Sequence, residues 1–112
     1  VLPVPKKKLA AYRSMAQKAS KIWLEHGALD YREAVGGGLN VKCGLPFHKG
    51  TKVKTGETIV FAYIVYKSKG DRDKVNAKVM KDPRIQEMCD PKDVPFVVKR
   101  MMYGGFKRIV GT

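Results

Sequence analysis

The chain has 112 residues, 44% of them hydrophobic, and its 23 Lys and Arg against 10 Asp and Glu give a formal net charge of +13. This length allows a single domain, residues 1–112, with one modest core, and the hydrophobic share excludes a wholly disordered chain. No apolar run approaches the ~20 residues of a membrane-spanning helix, and the opening residues lack the charge order of a signal peptide. Cys43 and Cys89 have no C-x-x-C spacing, which predicts reduced thiols and a cytoplasmic protein without a membrane partner.

The first predicted elements are the end of a strand and a long helix. Residues 1–5 predict the strand, and we expect its beginning to lie before Val1. A helical pattern then extends from Lys6 to His26, and Gly27 is well placed as its C-terminal cap. At about 100° per residue, one broad face of this helix is mostly apolar. That face contains Leu9, Tyr12, Met15, Ala16, Ala19, Ile22, Trp23 and His26.

Two further strands are predicted on either side of a long loop. Residues 28–35 form the first, and alternation places four side chains on one of its faces. These are Leu29, Tyr31, Glu33 and Val35. Residues 36–55 form a loop rich in Gly and Lys, of a length typical of functional or mobile segments. Residues 57–66 form the other strand, which is apolar or aromatic at every position from 59 onward, so both of its faces are predicted to be covered.

The last third of the chain predicts two helices and a final strand. Ser68 is suited to cap a helix over residues 69–82, which Pro83 ends. A short helix is predicted over residues 84–90. Residues 94–111 predict the final strand, with a bend at Gly104 and Gly105.

The element order predicts an α+β fold of the ferredoxin-like, split β-α-β kind, with an antiparallel sheet and both helices on one side. A single chain then has little material left for the second sheet face. Leaving four or five large side chains there in water would forfeit ~1.5–3 kcal/mol each. We therefore expect a homodimer with two sheets face to face; the alternative is a monomer in which the loop of residues 36–55 folds back over the sheet.

Four stretches resemble the YbaA-like family, a small bacterial domain of unknown function. They are LPVPKKKLAAYRSMA, HGALDYRE, YIVYKSKGDRDKVNAKVMKDPR and KRMMYGGFK, and the resemblance covers nearly the entire chain. It implies a ferredoxin-like subunit that forms a dimeric α/β barrel, and a short first-strand segment before Val1. It implies no reaction, and nothing about the loop GGGLNVKCGLPFHKG is carried over.

Glu33 and Tyr31 are the first candidate catalytic residues. On an inward face, Glu33 would be a buried carboxylate suited to general acid–base work. The alternative is a salt bridge from Glu33 to Lys99 or Arg100, or a place at the barrel rim. Tyr63 and Tyr103 are candidates to line the same cavity, and plain core positions are the alternative. Arg100 completes the predicted ligand-binding set.

Asn76 and Arg72 are the polar candidates on the second helix. An amide on an inward stripe must be hydrogen-bonded, either to a ligand in a pocket or to a neighbouring backbone carbonyl. Arg72, one turn earlier, is suited to hold a carboxylate or phosphate, and an ion pair with Glu33 or Asp30 is its alternative. His26 and His48 lack a third spaced ligand, and no cofactor fingerprint is present, so we predict neither a metal site nor a cofactor.

Three functions remain open from the sequence. The first is a small-molecule-binding protein or cofactor-free enzyme with its cavity between sheet and helices or within a dimeric barrel. The second is an RNA- or polyanion-binding protein, and the third is a structural dimer without catalysis. The second function would depend on basic residues of the surface, namely Lys6, Lys7, Lys8, Lys52, Lys54, Lys67 and Lys69.

Overall fold

The computed structural model describes residues 1–88 and 94–111 and has an α+β fold, as the element order predicted. Within these residues the chain forms three strands and four α-helices, with 3-10 turns at Lys6–Lys8 and Val98–Arg100. The elements are β1 (Leu2–Pro5), α1 (Leu9–Glu25), β2 (Asp30–Val35), α2 (Phe47–Gly50), β3 (Glu57–Val65), α3 (Lys69–Lys81) and α4 (Pro83–Met88).

The three strands form one antiparallel sheet in the order β1-β3-β2. Leu2 lies opposite Val60, and Tyr31 lies opposite Ile64. Because neighbouring residues in a strand point to opposite faces, this register defines an inner face that carries Val60 and Ile64 and an outer face that carries Phe61 and Tyr63. β3 is apolar on both of these faces and occupies the central position of the sheet.

The long helix α1 packs its apolar stripe onto the inner sheet face. Tyr12, Ala16, Ala19 and Ile22 are buried on this side, as the spacing predicted. The helix ends at Glu25, and Gly27 follows with φ of 115°, a left-handed conformation that glycine adopts without a steric penalty. This tight turn brings the chain directly back into β2.

The helices α3 and α4 pack beside α1 and complete the core. The Ser68 side chain accepts a hydrogen bond from the Asp71 backbone N–H at 3.1 Å and caps α3, as predicted. Val75 and Val79 of α3 are buried against Ile22 of α1, with the partly buried Tyr31 packed against the same cluster. The helices α1 and α3 therefore cover the inner sheet face.

The final strand predicted over residues 94–111 does not form. Val98–Arg100 is a 3-10 turn, and residues 101–109 have no regular secondary structure. One antiparallel pair of backbone hydrogen bonds nevertheless joins Met102 to Val1, each at 2.8 Å, at the free edge of β1. A strand needs such bonds at successive alternate residues, so the apolar pattern alone does not complete a ladder.

The loop over residues 36–55 contains the short helix α2, which sequence analysis did not predict. Phe47 of α2 makes an edge contact with Phe61 on the outer sheet face, with ring centroids 6.5 Å apart. The loop thus reaches part of that face, as the monomer alternative required, but leaves Phe61 48% and Tyr63 47% exposed. Coverage of the outer face by the chain itself is incomplete.

Two expectations from composition concern the cysteines and the membrane. Cys43 is a free, exposed thiol, while Cys89 lies outside the described residues. Among the helices of the described ranges, none combines the length and apolar character needed to span a bilayer.

Candidate functional site

A glutamate held between two tyrosines lies between the sheet and α1. The Tyr12 hydroxyl of α1 donates to Glu33 Oε1, and the Tyr31 hydroxyl of β2 donates to Glu33 Oε2 at 2.6 Å. Strand alternation puts Tyr31 and Glu33 on the same inner face, and the helical stripe directs Tyr12 toward them from above. We call Tyr12, Tyr31 and Glu33 the Tyr–Glu–Tyr cluster.

The cluster is withdrawn from water enough to change the chemistry of its phenols. Burial, reinforced by the hydrogen bond to Glu33 and the negative charge there, raises the pKa of Tyr12 well above its usual range. Burial and the same carboxylate raise the pKa of Tyr31. Both phenols therefore remain protonated donors, and Glu33 is the hydrogen-bond acceptor of the cluster.

Asn76 forms a second polar group beside this cluster. Its Oδ1 accepts from Tyr66 OH at 2.7 Å and from Trp23 Nε1 at 3.3 Å. The Trp23 ring lies 5.9 Å from the Tyr31 ring, which joins the two groups into one polar and aromatic layer. The predicted need for a hydrogen bond at Asn76 is met by two side chains rather than by a backbone carbonyl.

Arg72 lies near this layer but does not form either predicted ion pair. Its Nε is 3.6 Å from Asp73 Oδ1, whereas Asp30 pairs with Arg32. The guanidinium lies against the backbone of Gly105, where a Cβ would collide with Nη1. Arg72 is one-third exposed, so a ligand at the layer would meet a cation there.

Arg100 lies at a different place from the one predicted. Its guanidinium binds Glu57, with Nη1–Oε2 at 2.6 Å and Nη2–Oε1 at 2.9 Å, and Nη2 also donates to the Lys52 carbonyl at 3.1 Å. This fork holds the pKa of Glu57 down at about 2. The predicted alternative pairing of Arg100 with Glu33 is wrong.

Two predicted cavity-lining tyrosines are not at this layer. Tyr63 lies opposite Arg32 in the sheet register and therefore points to the outer face, away from Tyr31 and Glu33. Tyr103 is 87% exposed in the terminal segment. Of the predicted residues, the structure brings together Tyr31, Glu33 and Asn76.

His26 takes a structural role, whereas the buried Nδ1 of His48 has no hydrogen-bond partner among the described residues. His26 is the C-cap residue of α1, and its Nε2 lies 2.9 Å from Asp82 Oδ2. Within residues 1–88 and 94–111, no group of three His, Cys, Asp or Glu side chains is arranged to hold a metal ion.

Sequence analysis missed the roles of Tyr12 and Tyr66. Tyr12 was assigned to the inner helical stripe, but its hydroxyl needed a buried partner and Glu33 was the only acidic residue predicted on the facing strand surface. Tyr66 ends the apolar run of β3 on the same face as Ile64. The hydroxyl group of each tyrosine on an inward face was thus the signal that a buried hydrogen-bond partner was needed.

The geometry of the layer combines an acceptor end and a donor end. Each Glu33 oxygen accepts one phenol and retains a second lone pair for a ligand. The Asn76 amide nitrogen has no hydrogen-bonding partner among the residues that the structure describes, and Arg72 adds a cation one helical turn away. The arrangement can therefore accept a proton or hydrogen bond at Glu33 and donate hydrogen bonds near Asn76.

Comparison with known proteins gives a consistent family assignment without an activity. The family described as "Protein of unknown function (DUF1428)" matches residues 1–98. The proteins named "Uncharacterized protein YbaA" from Escherichia coli strain K12, Escherichia coli O157:H7 and Shigella flexneri are each 40% identical to the chain over 110 residues. The alignment covers 98% of this chain and 92% of each relative. With a family match over most of its length and relatives at this identity, the chain belongs to the YbaA-like DUF1428 family.

Proposed function

We propose that the protein binds a small molecule between its sheet and helices, with Glu33 as the group that accepts a proton or a hydrogen bond from the ligand. The observation that carries the proposal is the Tyr–Glu–Tyr cluster. A purely structural layer would be satisfied by apolar side chains, since exchange of a buried polar group for packed apolar residues is often neutral or stabilising. A partly buried carboxylate whose two oxygens each bind a phenol and keep a second lone pair can instead accept a hydrogen bond or a proton from a ligand.

The chemical class of the ligand follows from the two ends of the layer. A hydroxyl or N–H on the ligand would donate to Glu33, and a carbonyl or carboxylate would accept from the Asn76 amide nitrogen or Arg72. We therefore propose a small hydroxy- or amino-substituted carbonyl or carboxylate compound. Proton transfer to Glu33 would make the site a cofactor-free enzyme of the isomerase kind; without transfer, it is a binding site.

We further propose that the subunit is ferredoxin-like. The order β1-β3-β2 with α1 and α3 on one face matches three strands of the split β-α-β arrangement. The backbone pair between Val1 and Met102 lies at the free edge of β1, which is the place of the fourth strand. In this register any residues that precede Val1 would lie opposite residue 103 onward, and their pairing would complete that strand.

The proposed assembly is a homodimer that buries the outer sheet face, as in a dimeric α/β barrel. Phe61, Tyr63 and Val65 line this face along β3, and each is more than one-third exposed in the single chain. A second copy presents the same aromatic strip, so a two-fold axis would pack both strips together. This assembly leaves the Tyr–Glu–Tyr cluster on the inner side of each sheet.

Mass spectrometry of small molecules released from freshly purified protein tests the ligand proposal. We expect a stoichiometric organic acid or carbonyl compound from the wild type and its loss from Glu33→Gln. Glu87→Gln is the matched control, because it removes one exposed acidic charge on α4 and should retain the ligand. Equal release of the ligand from both variants would contradict the proposal, and so would the release of no ligand from the wild type. If the wild type is a stable dimer that releases no ligand, the result supports a structural role instead.

A further inference from the structure

A cluster of lysines forms at one end of the sheet from two distant parts of the sequence. The 3-10 turn that follows β1 carries three consecutive lysines, and the turn that precedes β3 carries two more. Pairing of Pro5 with Glu57, and a 2.8 Å bond from the Lys6 N–H to the Gly56 carbonyl, brings these turns side by side. We call this set the lysine end: Lys6, Lys7, Lys8, Lys52 and Lys54.

The positive charge of the lysine end is not neutralised within the described residues. The acidic residue at this end, Glu57, is held by both Nη atoms of Arg100 and by the Lys54 backbone N–H at 2.8 Å. No carboxylate of residues 1–88 or 94–111 lies within ion-pair distance of the five lysine side chains. Five cations therefore face solvent together, which creates a strongly positive local potential.

An open cleft lies at the lysine end. This cleft of about 550 Å³ lies between the two turns, and Lys6, Lys7 and Lys54 line it together with Thr55 and Glu57, whose carboxylate is bound by Arg100. The backbone bond between Lys6 and Gly56 fixes the relative position of its two walls. By contrast, Lys67 and Lys69 follow the opposite end of β3 and belong to a separate surface.

We infer that the lysine end binds phosphate groups, so that Lys6, Lys7 and Lys54 contact a nucleic-acid backbone or a free polyphosphate. Lysine ammonium groups act as point charges without the planar fork that recognises base edges, so the site is expected to ignore base sequence. This activity is independent of the ligand proposed at Glu33, because that site lies on the inner sheet face.

Fluorescence anisotropy with a labelled single-stranded RNA, titrated between ~50 and ~200 mM salt, tests the inference. Each neutralised phosphate contributes about 0.7 to the slope of log affinity against log salt. The variant Lys6→Gln/Lys7→Gln/Lys54→Gln should lose about 2 from that slope and bind about a hundredfold more weakly near 0.1 M salt. The corresponding triple Lys→Arg variant should retain binding.

The matched control is Lys18→Gln/Lys21→Gln/Lys78→Gln, which removes three exposed lysines on α1 and α3. Both triple variants lower the formal net charge from +13 to +10, so only the location differs. Equal weakening by both, or no binding by the wild type at ~50 mM salt, would overturn the inference. Competition by inorganic tripolyphosphate at low concentration would assign the site to free polyphosphates; resistance to it would assign the site to nucleic acid.

Discussion

The two faces of the same sheet differ in what covers them. The inner face lies under α1 and α3, where Glu33 is held by two phenols and the side-chain oxygen of Asn76 on α3 accepts from Tyr66 and Trp23. The outer face carries Phe61, which Phe47 of the short helix α2 contacts and which remains 48% exposed. A chain of this size supplies enough helix to cover one sheet face.

Under the proposed function, the two faces have separate tasks. Polar groups that can exchange protons are on the covered face, where burial strengthens their interactions. Aromatic groups without polar partners are on the open face, where association is the way to remove them from water. Chemistry and assembly are therefore expected to respond to different substitutions.

The largest expected effect comes from the covered face. Ile22→Ala removes a buried side chain from the α1 surface that packs on the sheet, and the cavity should lower the free energy of unfolding by about 3 kcal/mol. Leu24→Ala is the control on the same helix, where the side chain is nearly half exposed, and should cost about 1 kcal/mol or less. Urea denaturation of both variants measures the contrast, and equal losses would refute the assignment of the faces.

The next effect concerns the open face. Tyr63→Lys should convert the proposed homodimer into a particle of 12.5 kDa at micromolar concentration, because two lysines would meet at the interface. Ser14→Lys adds the same charge on the exposed side of α1 and should leave the dimer intact. Sedimentation velocity measures both; the wild-type dimer should tighten as salt screens the repulsion between two chains of charge +13. A wild-type protein that sediments as a single chain would contradict the proposed assembly.

A smaller effect is a loss of stability in alkali that depends on the Tyr–Glu–Tyr cluster. The folded state raises the pKa of Tyr12 and Tyr31, so the phenols of the unfolded chain ionise first as the pH rises. The contribution of these two residues to the free energy of unfolding is therefore complete below about pH 10 and is lost at higher pH. In Tyr31→Phe, the thermal midpoint of unfolding should therefore fall less steeply with rising pH than in the wild type. Tyr103→Phe, at an exposed phenol, should leave this decline unchanged; the same decline in both variants would exclude the cluster as its cause.

The smallest expected effect is in acid, at the partner of Arg100. The lowered pKa of Glu57 stabilises the fold above about pH 4.3, and this contribution disappears as pH falls toward 2. Arg100→Gln should therefore narrow the stability difference between neutral and acid pH. Arg32→Gln breaks an exposed pair with Asp30 and should have little effect. Acid denaturation curves compare the two, and an unchanged curve for Arg100→Gln would refute the role of this pair.

Periodicity predicted the parts of the fold that depend on neighbours in sequence. The stripe through Tyr12 and Ile22 defined α1, the alternation of Tyr31 and Glu33 defined the inner face of β2, and Ser68 marked the start of α3. Each of these signals is local, because the helix and strand repeats fix which side chains share a face.

The remaining features depend on contacts between residues distant in sequence. The bond from Tyr12 to Glu33 spans 21 positions and the fork from Arg100 to Glu57 spans 43, so neither follows from a repeat. The final strand was predicted from apolar residues alone, but a strand also needs a paired backbone, and within the described residues the pairing of Met102 with Val1 does not extend into a ladder. Tyr63 was misplaced because alternation within β3 does not reveal which face α1 covers.

The hydrogen bond from Trp23 to Asn76 has a practical consequence for experiments. Trp23 is the single tryptophan of the chain, so intrinsic fluorescence arises from one indole at the edge of the candidate site. A compound that entered beside Asn76 would alter the polarity around that indole and shift its emission. The protein thus carries its own optical reporter, and a library of metabolites can be screened in solution without a label.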